Sequence, residues 1–315
     1  MLRSILQRAM MLVPVLFGIT ILSFLLLQVM PGDPVEHAMG TRASAEDLAT
    51  MRRLWGLDLP LWQQYLIFLR DCVTGSYGFS LFYKLPVSRL VIERLPITLA
   101  LTLYSTLIGI AVALPFATLA ALRRGRLADV LIRQLFVLLL AMPPFWLCFV
   151  LILEFSLRLG LFPTGGVGTG FLENLHRLFL PALVVGLSTA ALIQQSLRAT
   201  LIDTMKADYV DTARAKGLSA AQVFRRHILR NILIPVVTVI GMEFGSLIAY
   251  STITETVFSW PGMGKLLIDS VYQLDRPVVV AYVMLVTLIF VVINLIVDIL
   301  YAVLDPRVQL LEPAH

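Results

Sequence analysis

Asp208-Tyr209-Val210-Asp211-Thr212-Ala213-Arg214-Ala215-Lys216-Gly217, continued by Leu218-Ser219-Ala220-Ala221-Gln222, is a polar interruption between two long apolar runs. Its first nine residues read as a short helix, with acids in the first turn and bases in the last, the order that the helix dipole favours. Gly217 then supplies a left-handed stop. Ser219 and Gln222 stand three apart as a capping box and start a second helix that runs into the next apolar segment. The product is helix, glycine, helix. Ala213 and Ala215 keep the first helix slim, as a segment entering a partner's cleft needs to be.

Working outward from this loop, six segments hold the roughly 20 apolar residues that a helical membrane span requires. They are Ala9 to Met30, Ile97 to Leu122, Leu131 to Leu157, Leu178 to Leu197, Leu229 to Ile253 and Val278 to Leu304. The fourth is the least apolar, because Ser188, Gln194, Gln195 and Ser196 make its second half polar. Orientation follows from Lys and Arg, which collect on the cytoplasmic side. With the N-terminus inside, 14 of the 25 basic residues fall in cytoplasmic segments, seven of them in the loop from Arg198 to Arg230. Both termini are therefore expected in the cytoplasm, and the fold class is an all-α integral membrane protein with six transmembrane helices.

Composition agrees. Of 315 residues, 58% are hydrophobic and 14% charged, against about 25% charged in soluble domains, and the mean hydropathy is +0.87. The net charge of +5 does not mark a nucleic-acid binder, because the bases sit at the ends of apolar segments and not in one arm or patch. The basic N-terminus resembles a leader. However, its apolar run continues to Met30 and ends in Pro31-Gly32-Asp33-Pro34 without a small-x-small cleavage site, so a retained first helix is expected. Cys72 lies in a polar loop and Cys148 in an apolar run, so no structural disulfide is expected and both read as packing residues.

The expected layout is a first transmembrane helix over 1–30, an extracytoplasmic loop subdomain over 31–96, and a transmembrane core over 97–315 that includes the cytoplasmic loop 198–230. In the outer loop, Ser44 with Asp47 starts a helix reaching Trp55. Gly56-Leu57-Asp58-Leu59-Pro60 breaks it, and Trp62 to Leu69 reads as another short helix. Trp62, Tyr65 and Phe68 are suited to the headgroup level.

The stretch from Asp211 to Gly217 is similar to the E-A-A-x-x-x-G motif of ABC importer permeases, with Asp211 for Glu and Thr212 for Ala. His227-Ile228-Leu229-Arg230-Asn231-Ile232-Leu233-Ile234-Pro235 resembles the dipeptide, oligopeptide and nickel branch, although its order differs from the general I-x-L-P. Other landmarks of that branch follow along nearly the whole chain. These are Pro31-Gly32-Asp33-Pro34, Gly56-Leu57-Asp58 with Pro60, Met142-Pro143 with Phe145-Trp146, Thr254-Glu255-Thr256-Val257-Phe258-Ser259-Trp260-Pro261-Gly262, and Asp305-Pro306-Arg307. The N-terminal set is similar to the first of two permeases encoded together.

The resemblance implies a type I ABC importer permease fold in a prokaryotic inner membrane. It implies a coupling helix that docks on an ATPase, with Tyr209, Asp211, Ala213, Ala215, Lys216 and Gly217 as the coupling residues. The implied partners are a second homologous permease, two ATPase subunits or domains, an extracytoplasmic solute-binding protein and membrane lipid, with no nucleic acid. ATP and Mg would be bound by the partner ATPases, and no cofactor by this chain. Di- and oligopeptides are the implied cargo, with nickel or metal chelates, glutathione and opines as alternatives.

Carboxylates within or beside spans are costly there and usually face protein or water. Glu243 and Glu255 are the candidates for the pathway. Against this stands a structural role, as in a pairing of Glu154 with Arg158 or of Asp298 with Asn294. His227, among Arg225, Arg226 and Arg230, reads as a solvated or docking-face residue. Pro143-Pro144 and Pro115 are expected to kink their spans. Gly241 and Gly245 form G-x-x-x-G, which suits either helix association or ordinary packing within the chain.

Gly262-Met263-Gly264-Lys265 fails the phosphate-loop pattern at Ser259 and Leu266, and no H-E-x-x-H, C-x-x-C or G-x-S-x-G occurs. A membrane enzyme would need clustered catalytic residues. A secondary transporter would favour two similar halves, and no internal repeat is visible. The chain is expected not to be an enzyme.

Overall fold

The computed structural model describes residues 2–29, 34–39, 44–80 and 82–304. The landmarks Pro31 to Asp33 and Asp305-Pro306-Arg307 lie outside the described residues, as do the side chains of His227 and Asp298. The helices are α1 (Leu2–Val29), α2 (Pro34–Met39), α3 (Ala45–Leu54), α4 (Leu61–Thr74), α5 (Val87–Leu122), α6 (Leu127–Ala141), α7 (Pro144–Leu151), α8 (Phe171–Met205), α9 (Asp208–Ala215), α10 (Ala220–Val223), α11 (Leu229–Val257), α12 (Met263–Tyr272) and α13 (Arg276–Leu304). π-helical turns follow α7 (Ile152–Arg158) and α10 (Phe224–Ile228).

One small departure from an all-α chain is the pair β1 (Phe79–Ser80) and β2 (Leu85–Pro86), antiparallel with Ser80 opposite Leu85. Two residues per strand leave no alternation for a sequence pattern to reveal.

Among the described residues, three helices are each long and apolar enough to cross a membrane: Val87–Leu122, Phe171–Met205 and Arg276–Val297. The first begins ten residues before the expected Ile97. The second outruns its expected limits because its polar residues do not end it. Ser188 and Thr189 bond back to the Val184 and Val185 carbonyls, and Gln194 is buried. Helix α1 has 28 residues and α11 has 29.

The third apolar run is interrupted at Pro143-Pro144, where a kink was expected. It is two helices, Leu127–Ala141 and Pro144–Arg158, bent by 100°. The two prolines account for the break. Each disfavours α geometry in the residue before it, so Met142 and Pro143 are extended, while Pro144 is well placed at the first turn of a new helix. Pro115, by contrast, lies inside the unbroken α5.

The chain divides into two compact units, Met1–Ile97 with Gly262–Val291, and Thr98–Pro261 with Val292–His315. In the first unit, α4 lies along the apolar half of α1. Thr20 and Tyr65 share a 2.8 Å hydrogen bond, and Phe24 meets the rings of Tyr65 and Phe68. Thr20 is nine residues from Val29, so α4 crosses α1 about 13 Å below its end. Tyr65 and Phe68 are therefore packed against the apolar half of α1, and Trp62 stays exposed. Elsewhere in this unit Ser80 Oγ donates to Asp275 Oδ2, and Val87, Leu90, Met263, Leu266, Val278 and Ala281 form a buried cluster.

In the second unit the core is α8 against α11, with α5, α6 and α7 around them. Helix α5 turns a row of small hydroxyls inward. Thr102, Ser105 and Thr106 each satisfy themselves on the carbonyl one turn back, which lets polar side chains be buried without loss. A methyl added at Gly109 would sit 3.1 Å from the Gly186 carbonyl, and one at Gly186 would sit 2.8 Å from that of Ser105. Helices α5 and α8 therefore cross at backbone distance. Gly241 abuts Val297 of α13, so this half of the G-x-x-x-G serves packing within the chain.

Candidate functional site

Helix α8 ends at Met205, and only Lys206 and Ala207 separate it from α9. Asp208 and Asp211 occupy the first turn of α9 and Arg214 the last, where an Arg214–Asp211 contact of 3.2 Å joins them. The helix has two distinct faces. Val210 and Ala213, three residues apart, are 0% and 4% exposed and belong to the buried cluster formed by Ala113, Ala117, Ile132, Phe136, Leu197 and Leu201. The other face carries Tyr209 (42% exposed), Asp211, Thr212, Arg214, Ala215 and Lys216, all exposed.

The glycine stop is present. Gly217 has φ +81°, its N–H donates to the Arg214 carbonyl at 2.9 Å, and a methyl placed on it would meet nothing within 4 Å. The capping box follows. Ser219 N–H donates to Gln222 Oε1 at 2.9 Å, and Gln222 N–H donates to Ser219 Oγ at 3.4 Å. Of the six residues expected in the docking contact, Tyr209, Asp211, Ala215, Lys216 and Gly217 share the exposed side. Ala213 faces the interior, and its small side chain serves the close seating of α9 on the core. Thr212 and Arg214 join the exposed face; helical spacing around Val210 and Ala213 assigns Thr212 to it, while Arg214 lies at its edge, one turn from Val210.

The two pathway candidates are not brought together. Glu243 and Glu255 lie on α11 twelve residues apart, about 18 Å along the axis and roughly a third of a turn around it. Glu243 is half-buried. Glu255 is 0% exposed, and its Oε1 accepts from Thr98 Oγ1 at 2.6 Å and from Ser251 Oγ at 3.4 Å. The Glu255 carboxyl is thus held by hydroxyls of its own chain. Glu154 pairs with Arg158 as spacing indicated, Nη1 reaching both carboxylate oxygens at 2.8 and 3.0 Å.

A pair that local spacing misses is Asp129 with Arg198. Asp129 is 1% exposed in the first turn of α6, and Arg198 grips it through two bonds of 2.7 Å. The visible signal was a lone acid following the run Arg123-Arg124-Gly125-Arg126.

Among the described residues no group of three or more His, Cys, Asp or Glu could hold a metal ion. Both cysteines are free thiols. Cys72 Sγ contacts Met284 Sδ at 3.3 Å, and burial together with the neighbouring Asp71 carboxylate pushes the thiol up to about 11.

This architecture has relatives. A family described as the binding-protein-dependent transport system inner membrane component matches residues 113–310, and its N-terminal companion matches residues 1–102. The chain is 40% identical over 311 residues to the oligopeptide transport system permease protein AppB of Bacillus subtilis (strain 168), covering 97% of this chain and 98% of that one. It is 38% identical over 309 residues to the glutathione transport system permease protein GsiC of Escherichia coli (strain K12), covering 98% and 99%. Among solved structures, an inward-facing MetNI methionine ABC transporter superposes with a TM-score of 0.57 at 18% identity, over 69% of this chain and 96% of that one, so the fold is shared. The chain therefore belongs to the family of binding-protein-dependent transport system inner membrane components, and it is a permease subunit of an ABC importer.

Proposed function

We propose that this subunit forms half of a peptide pathway through a prokaryotic inner membrane, with six spans and both termini in the cytoplasm. It is inactive alone. A second homologous permease completes the pathway, two ATPase subunits or domains bind and hydrolyse ATP with Mg, and an extracytoplasmic binding protein delivers the solute. The observation that carries this reading is the two-faced helix α9. Val210 and Ala213 anchor it in the core, while Tyr209, Asp211, Thr212, Arg214, Ala215 and Lys216 are exposed. A face so exposed, ended by a glycine with open space beside it, suits docking on the ATPase. The membrane orientation draws support from the Asp129–Arg198 pair, which sets the basic turn Arg123–Arg126 beside the start of the loop 198–230, so that both arginine-rich segments share one side.

Di- and oligopeptides are the cargo favoured by the resemblance to AppB along the whole chain. Glutathione is the second reading, because the match to GsiC is nearly as high and equally complete. Reconstitution in liposomes, with ATP inside and binding protein outside, tests the assembly when one component is left out at a time. Uptake is expected only with all of them. Uptake by this chain alone, driven by a proton or sodium gradient, would overturn the reading. Competition of labelled peptide uptake by excess glutathione separates the two cargoes.

A further inference from the structure

The buried pair Asp129–Arg198 lies at the junction between the coupling loop and the rest of the second unit. Arg198 Nε donates to Oδ1 and Nη2 to Oδ2, both at 2.7 Å, the bidentate fork that fixes orientation as well as distance. The Gly125 N–H donates to Oδ2 at 2.9 Å, and Arg133 Nε stands 3.6 Å from Oδ1. One carboxylate thus holds three elements: the turn after α5, where Gly125 has φ +74°, the first turn of α6, and α8. Arg198 is seven residues before the end of α8, about 10 Å from it. Beyond that end, the short turn Lys206–Ala207 leads directly into α9.

The surroundings make this a lever and not a solitary contact. Leu197 and Leu201 flank Arg198 on α8 and belong to the same cluster as Val210 and Ala213 of α9 and Ile132 and Phe136 of α6. A displacement of α9 is therefore passed by close packing into the last turns of α8. Apolar packing alone permits sliding between helices. A two-bond fork anchored by a third bond to the backbone does not, because moving it by an ångström breaks charged hydrogen bonds to a carboxylate that is itself only 1% exposed.

We infer that Asp129 and Arg198 are positioning residues for energy coupling: their fork obliges α6 and the Arg123–Arg126 turn to follow the coupling helix, so that a movement at α9 reaches the bent pair α6–α7. This rests on the reading of α9 as the ATPase-docking helix. Alone, a need for a buried counter-ion would be met by any cation at position 198. The fork geometry, which only guanidinium supplies, is what the inference turns on.

The test is the ratio of solute taken up to ATP hydrolysed in the complete reconstituted importer, a quantity independent of how much complex folds. Arg198→Lys keeps the charge and loses the fork. It is expected to lower the ratio by about fivefold or more while the complex still hydrolyses ATP and melts close to the wild type. Arg198→Gln should lower it further, and Asp129→Asn added to Arg198→Gln, which removes the unpaired charge, should restore the melting temperature but not the ratio. A wild-type ratio in Arg198→Lys would overturn the inference, as would a double variant that recovers the ratio along with its stability. Failure of the wild-type assembly to couple uptake to ATP at all would instead overturn the reading of the chain's function.

Discussion

Helix α8 is flanked by two glycine-containing loops, and they are finished in opposite ways. The loop before it, Leu159 to Gly170, is closed within the chain. A methyl added at Gly165 would stand 2.0 Å from the Phe258 carbonyl oxygen, and the same oxygen accepts from the Gly166 N–H at 3.0 Å. Arg177, itself paired with Glu173, donates to the Gly165 carbonyl at 3.1 Å, and Phe162 stacks on Phe179. The loop after α8 has its glycine in open space and its polar side chains outward. Gly165 is glycine because there is no room; Gly217 is glycine because of its backbone angle. The first loop is held by contacts within the chain, whereas the second leaves its glycine and polar side chains exposed, as the proposed docking requires.

Breaking the first loop gives the largest expected loss of stability. Gly165→Ala sets a methyl against a backbone carbonyl, which cannot rotate away, and should cost about 3 kcal/mol, read as a lower melting temperature of the purified importer. Wild-type melting in this variant would show that Phe258 does not hold the loop. Gly217→Val should do the reverse. The left-handed angle costs a β-branched residue about 1–3 kcal/mol locally, so the chain still inserts and assembles, but uptake and the stimulation of ATP hydrolysis by loaded binding protein are abolished. Asparagine, which tolerates that angle, should restore part of the activity. Normal uptake in the valine variant would remove the coupling role from this loop.

The two faces of α9 sharpen the comparison further. Ala213→Leu overpacks a closed core and should destabilise by about 1–3 kcal/mol. Ala215→Leu should leave melting unchanged while weakening association with the ATPase, measured by co-purification. Equal effects of the two would mean that α9 is not two-faced in the assembled importer. The smallest change is expected at Glu154. Its exposed pairing with Arg158 contributes about 0.3–0.5 kcal/mol, so Glu154→Gln should melt within error of the wild type.

What the sequence made legible follows the reach of its signals. Ser44 with Asp47, Ser219 with Gln222, Gly217 and Glu154 with Arg158 are all local rules, acting within four residues, and each appears in the structure. The prolines at 143 and 144 announced a break, but its 100° angle depends on what the two arms pack against. Asp129 and Arg198 are 69 residues apart, and Gly165 meets Phe258 across an even longer separation. No periodicity encodes such partners. Which way Glu255 points was also hidden, because a carboxylate in a span can face protein or a watered path, and its partner Thr98 is 157 residues away. The inward face of a helix is then set by its neighbours.

The bent pair α6–α7 has a consequence for how the chain is made. Each arm has 15 residues, about 22 Å of helix, where the hydrocarbon layer is about 30 Å thick. As the ribosome releases α6, that arm alone is too short to partition from the translocon into lipid as an independent stem. It must wait for α7 to be synthesised, or lean on helices already delivered. The usual order, in which segments first insert separately and then associate, is closed to this region. For α6 and α7, entering the bilayer and finding their neighbours are therefore expected to be a single step.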